Sequence, residues 1–273
     1  MKRVSILAFG AVAYIVFFGT FLYLIAFVGN LQNTALAQWL PWLPAVVPHS
    51  IDSGRDTGPV ALALAIDFGL ILLFGLQHSV MARMGFKAWL KRMLPASAER
   101  SVYVLLASLM LMVMFWQWRP APTVVWSADS IAGHAVGWAV FALGFGIVLL
   151  STFLIDHFDL FGLKQVWRQF VGRQAAAPHF TTPLFYRVVR HPLYLGFILA
   201  FWAGPVMTVG HLLFAATMTA YIVFAIGLEE KDLVHHLGDR YVRYQRQVPM
   251  LVPRPGRTFV EPIAKTDAMA PKA

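Results

Sequence analysis

Cysteine is absent from the 273 residues, which removes disulfides, Cys-ligated zinc, iron–sulfur clusters and any cysteine nucleophile at once. Charge is scarce as well: 13% of the residues are Asp, Glu, Lys or Arg, about half the share of an ordinary globular domain. No glycine fingerprint for a nucleotide follows an alternating strand-like run, and no Walker lysine motif is present, which excludes Rossmann-type enzymes and P-loop motors. Gly144-Phe145-Gly146 falls inside an apolar run and reads as close helix packing by small residues. What remains is apolar: 59% hydrophobic residues and a mean hydropathy of +0.65 place the chain in a bilayer.

A helix needs roughly 20 apolar residues to cross a hydrocarbon core. Four runs meet this: Ile6 to Gly29, Pro59 to Ala82, Ser101 to Trp118 and Ile131 to Ile155. A fifth, Leu193 to Leu228, is broken by Gly204-Pro205 and Gly210 and reads as a helical hairpin with a short first arm. The expected architecture is therefore an all-α integral membrane protein with four transmembrane helices plus a C-terminal helical hairpin. Ile6 to Gly29 is too long for a signal h-region and is expected to stay as a span. Residues 1–253 read as one domain and 254–273, rich in Pro, Gly and Lys, as a mobile tail.

Of the 22 Lys and Arg residues, all but Arg55 and Arg119 lie near the N-terminus, in Arg83 to Arg100, in Lys164 to Arg190, or from Lys231 onward. The cytoplasmic side of a membrane retains such residues, so both termini and both basic loops are expected there. The charge of +9 and pI near 10.0 then require no nucleic-acid partner.

Polar residues gather where the hairpin's feet meet. Before it stand His179 to Tyr186 and Arg190-His191-Pro192-Leu193-Tyr194-Leu195-Gly196. After it come Glu229-Glu230, Gly238, Tyr241 and Tyr244. Two carboxylates at an apolar boundary need partners. An ion-pair network in which Glu229 and Glu230 meet Arg240 and Arg243 satisfies that need; a binding site does so too. The order of these elements resembles the C-terminal signature of the isoprenylcysteine carboxyl methyltransferase superfamily of membrane methyltransferases, over about His179 to Pro253. The resemblance implies an S-adenosylmethionine pocket in 156–253, with His179, Tyr186, His191, Tyr194 and Glu229 holding the cofactor.

Further stretches narrow the likeness: Phe27-Val28-Gly29-Asn30, Ile51-Asp52-Ser53-Gly54, Gln77 to Arg83, Phe115 to Pro120 and Asp156 to Leu163 resemble the bacterial methanethiol S-methyltransferases of the nurim-related branch. That branch implies methylation of methanethiol to dimethyl sulfide in a bacterial inner membrane, at a site facing the cytoplasm. His78 is then a candidate base or orienting group for the thiol. Gln165 is a candidate contact to cofactor or substrate, and Arg190 or Arg243 a candidate for the cofactor's carboxylate. Asp156 and Asp159 read first as partners of Lys164 or Arg168. Asp67, within the second span, reads as a helix-to-helix hydrogen bond before a transport group with His134. No His or carboxylate spacing suits a metal, so none is expected. The competing functions are a methyltransferase for a larger lipid or prenylated substrate and a non-enzymatic scaffold or transporter.

Overall fold

The computed structural model describes residues 2–173 and 181–254. Among the described residues five helices are long and apolar enough to cross a membrane: α1 (Lys2–Val28), α4 (Val60–Ala82), α6 (Glu99–Gln117), α7 (Ile131–Ile155) and α11 (Val209–Leu237). Between the first two lie the short turns α2 (Leu36–Trp39) and α3 (Leu43–Val46). The remaining elements are α5 (Met84–Met93), β1 (Val124–Ser127), α8 (His157–Leu160), α9 (Leu163–Val171), α10 (Pro192–Trp202), β2 (Val206–Thr208) and α12 (Asp239–Gln247). The four expected spans are present within a few residues of their expected ends, and Ile131 to Ile155 coincides with α7.

The expected hairpin is α10 and α11, and its arms are unequal. With 11 residues, α10 is only about 16 Å long at roughly 1.5 Å per residue. Pro192 starts it at a position that needs no N–H, and Gly204 (φ +136°) with Pro205 prevents its continuation. The chain goes on as the extended strand β2, which pairs antiparallel with β1 (Val124↔Thr208, Ser127↔Val206) across a bulge. This ribbon adds to the all-helical expectation, because neither strand is long enough to alternate visibly. Pairing is required: an unpaired strand beside lipid would leave its backbone groups unsatisfied. The contacts extend past the strands, with Ala128 N donating to Pro205 O (2.8 Å) and Val209 N to Thr123 O (2.9 Å).

At this end of the bundle, Thr208 caps α11 by accepting from His211 N (3.1 Å) and donates to Asp52 (2.6 Å). Asp52 also accepts from Asn30 (3.2 Å), which ties the end of α1 to the start of α11. Asp67 is fully buried and accepts from the backbone N–H of Arg119 (2.9 Å), just beyond α6. The bond expected to another helix is thus made to the loop that leaves α6.

The core between these helices is largely aromatic: Phe27, Phe115, Trp118, Phe141, Phe145, Phe201 and Phe214 cluster with Met114. Beside it α7 and α10 come together backbone to backbone. A Cβ on Gly144 would lie 2.6 Å from Ala200 N, and one on Gly196 2.6 Å from Gly144 O. Gly144 thus packs as expected, whereas Gly146 faces open space. Replacing Gly196 by Leu should destabilise the detergent-solubilised protein by about 1–3 kcal/mol or more, since over-packing forces the helices apart. Gly146→Ala should leave the thermal midpoint unchanged or slightly raised; equal loss from both variants would refute the close-packing account.

Candidate functional site

The opposite, basic end of the bundle carries the polar cluster expected at the hairpin's feet. Arg190 and His191 stand just before α10, while Glu229 and Glu230 lie two turns from the end of α11, on neighbouring faces of the helix. Glu230 turns towards Arg190: Nε donates to Oε1 (2.6 Å) and Nη2 to Oε2 (3.3 Å). His191 Nε2 lies 3.0 Å from the same Oε1, and Gln245 donates to Oε2 at 2.9 Å. Arg190 Nη1 further donates to the carbonyls of Gln245 (3.0 Å) and Val248 (2.5 Å), so the guanidinium also holds the end of α12. The Arg190 and Glu230 side chains are only 11% and 14% exposed. Glu230 therefore takes the ion pair, and takes it with Arg190 where the expectation was Arg240 and Arg243.

Glu229 differs. It accepts from Tyr194 Oη (3.0 Å), and among the described residues no cation lies within ion-pairing distance of it. Its charge is also felt at Tyr186 and Tyr103, which therefore lie in its neighbourhood. Burial, then Glu229 and Tyr244, hold the Tyr186 phenol above its ordinary range, and it stays a donor at neutral pH. The Tyr244 hydroxyl bonds the Tyr186 carbonyl and fixes that segment against α12.

His78 faces the cluster from α4. Its Nε2 lies 2.7 Å from Tyr103 Oη, and its Nδ1 is buried without a partner. Ser79 and Tyr221 hydroxyls meet at 3.2 Å, joining α4 to α11 beside it. The Arg100 guanidinium carbon sits 5.3 Å from the Tyr103 ring centre.

The structure thus brings together Tyr186, Arg190, His191, Tyr194, Glu229 and, through Tyr103, His78. It does not bring in Gln165, whose amide donates to the Asp159 carbonyl (2.8 Å) on the α8–α9 corner. There Asp156 pairs with Lys164 and Asp159 with Arg168 (3.3 Å), the ion pairs expected of them. Burial opposes ionisation of Asp156, yet Lys164 and the Asp159 N–H hold its carboxyl below the usual range. Arg243 is exposed on α12. Arg190 has given most of its N–H groups to Glu230 and to the carbonyls of Gln245 and Val248. His179 lies outside the described residues, as does 255–273 of the expected tail. Tyr103, Tyr221 and Arg100 were not anticipated, because a tyrosine or arginine at a span's end ordinarily marks the lipid interface. Among the described residues no three His, Asp or Glu side chains group as metal ligands.

Removing the Arg190 charge should be costly to the fold. Arg190→Met leaves Glu230 nearly buried without its main partner, a loss of about 3–5 kcal/mol. Exposed Arg246→Gln should stay within about 0.5 kcal/mol of the parent in thermal unfolding, and comparable loss in both would remove the clamp's special role.

No family model and no solved structure matches the chain. Curated relatives do. Methanethiol S-methyltransferase of Crocosphaera subtropica is 47% identical over 257 residues, 94% of this chain and 95% of the relative. Methanethiol S-methyltransferase 1 of Bradyrhizobium diazoefficiens is 50% identical over 245 residues, 90% of this chain and 81% of that one. Nurim of Sus scrofa is 31% identical over 222 residues, 76% of each chain. With near-half identity running from the first span through the hairpin's feet, the chain is a membrane methyltransferase and belongs to the methanethiol S-methyltransferase family.

Proposed function

We propose that the protein methylates methanethiol to dimethyl sulfide with S-adenosylmethionine, at the basic end of the bundle. The observation that carries this reading is Glu229: a carboxylate bonded to Tyr194, with no cation paired to it among the described residues. A carboxylate half-withdrawn from water calls for a positive ligand, and aromatic faces add cation attraction. The methyl donor, with its sulfonium and ammonium groups, fits that donor set. When bound, it supplies an electrophilic methyl group that passes in line to the thiol sulfur, leaving S-adenosylhomocysteine.

The chain's own part is binding, orientation and proton handling. Glu229, Tyr194 and Tyr186 receive the donor's polar groups, and His191, held by Glu230, keeps Tyr194's helix in place. His179, from the family likeness, belongs to the same set. Thiolate is the reactive form of a thiol, so a proton acceptor near the sulfur accelerates the step. His78 is the candidate for this role: in the tautomer whose Nε2–H donates to Tyr103 Oη, its buried Nδ1 carries the lone pair that accepts the S–H proton. The excess of Lys and Arg at this end supports a cytoplasmic site in a bacterial inner membrane, with both termini on that side. The apolar thiol then arrives from the bilayer and the charged donor from the cytosol.

Purified, detergent-solubilised protein given both substrates should release dimethyl sulfide into the headspace, and a prenylcysteine assayed in parallel should not be methylated. Glu229→Gln should weaken S-adenosylmethionine binding about tenfold or more, since it removes a charge-assisted contact. His78→Ala should lower kcat by about 100-fold while leaving donor affinity nearly unchanged. Methylation of the prenylcysteine alone would move the substrate to the larger lipid class, and absence of donor binding in folded protein would refute the site.

A further inference from the structure

The basic loop Arg83 to Arg100 holds five cations, and their partners are unevenly distributed. Arg83 pairs with Asp232 (3.1 Å) and Lys91 with Glu99 (3.3 Å). Lys87 has no carboxylate within ion-pairing distance among the described residues. It is half-buried on α5, within the fields of Arg100, Glu99, Lys91 and Arg83. Burial and then Arg100 push its pKa down, and Glu99 only partly opposes them. Arg100, also half-buried, gives Nε to the Leu160 carbonyl (2.6 Å) and has no carboxylate within ion-pairing distance among the described residues either.

This positive surplus borders the site already described. The Arg100 guanidinium lies over Tyr103, and the charges of Arg100 and Glu229 both act on the Tyr103 hydroxyl. Tyr103, bonded to His78, therefore lies within the fields of one arginine and one carboxylate, neither of which has an ion-pair partner among the described residues. Such an arrangement is complementary to a ligand with an anionic and a cationic end. S-adenosylmethionine is one: its carboxylate and its sulfonium lie at opposite ends of a short carbon chain.

We propose that Arg100, supported by Lys87, receives the carboxylate of the methyl donor, while Glu229 receives its cationic end. The assignment rests on the proposed use of S-adenosylmethionine and replaces Arg190 and Arg243 in this role. A guanidinium whose Nε is anchored presents its remaining N–H groups in a fixed fork, the geometry that suits a carboxylate.

The test compares equilibrium binding of S-adenosylmethionine and decarboxylated S-adenosylmethionine to the purified full chain in a neutral detergent. The parent protein should bind the decarboxylated compound about tenfold or more weakly, since one charge-assisted pair is missing. In Arg100→Gln, affinity for S-adenosylmethionine should fall by about the same factor while affinity for the decarboxylated compound stays within about twofold, so the preference disappears. Exposed Arg92→Gln should keep the parent's preference. Should Arg100→Gln not fold, Lys87→Gln should shrink the preference by about threefold through lost field alone. Equal binding of the two compounds by the parent, or a preference that survives both variants, overturns the assignment. Binding of neither compound by the parent would instead refute the use of this donor.

Discussion

The Arg190–Glu230 pair is the interaction on which the basic end depends. One guanidinium reaches the end of α11 through Glu230 and the end of α12 through the carbonyls of Gln245 and Val248. Its own backbone N–H donates to the Pro249 carbonyl, and that of His191 to Met250. The two feet of the hairpin and the returning chain are thereby locked together. Successive residues on a helix point about 100° apart, so seating Glu230 against Arg190 turns Glu229 to another face, towards Tyr194. The clamp thus determines that one carboxylate is neutralised by protein, whereas its neighbour meets a tyrosine and no cation among the described residues.

The opposite end performs the complementary task. A membrane protein must satisfy each backbone group internally, and α10 is too short to do so over a whole crossing. The bulged β1–β2 ribbon takes over where α10 stops, and Thr208 makes the return into α11 while bonded to Asp52. Close contact of Gly144 with Gly196 then sets the height of α10 against α7. Tyr194 lies half a turn from Gly196 on α10, so this packing also sets the level at which its hydroxyl meets Glu229.

Much of this was legible in the sequence because it depends on long apolar runs and on residue order. The spans, the unequal hairpin, the glycine packing at Gly144 and the gathering of His191, Tyr194 and Glu229 follow from patterns within one or two segments. The partner of Glu230 does not. Arg240 and Arg243 are near it in the chain, whereas Arg190 lies 40 residues away and wins because the hairpin folds back. Gln165 and Arg243 are polar residues in the right neighbourhood whose orientation only packing decides. The two strands are three and four residues long, too short for alternation to register. Tyr103 and Arg100 carry no motif, and their relevance arises solely from the position of α6 against α4.

Under the proposed function, the siting of the chemistry follows from the two substrates' unlike solubilities. Methanethiol partitions into apolar surroundings, whereas a donor bearing sulfonium, ammonium and carboxylate groups cannot leave water without fixed counter-charges. A site within the lipid would exclude the donor, and one in open solvent would leave the thiol and the reacting methyl group fully hydrated. At the boundary both conditions are met: Tyr194 of the apolar helix α10 meets Glu229, and Lys87 and Arg100 stand half-buried where the basic loop meets α6. Charge transfer in the step is favourable there too. The donor's positive sulfur becomes neutral as the methyl group leaves, so a low-dielectric setting that holds the cation uneasily assists its discharge, provided the reactants are held in line. The dense stitching of Arg190, Glu230 and His191 supplies that rigidity without occupying the charges the ligand needs.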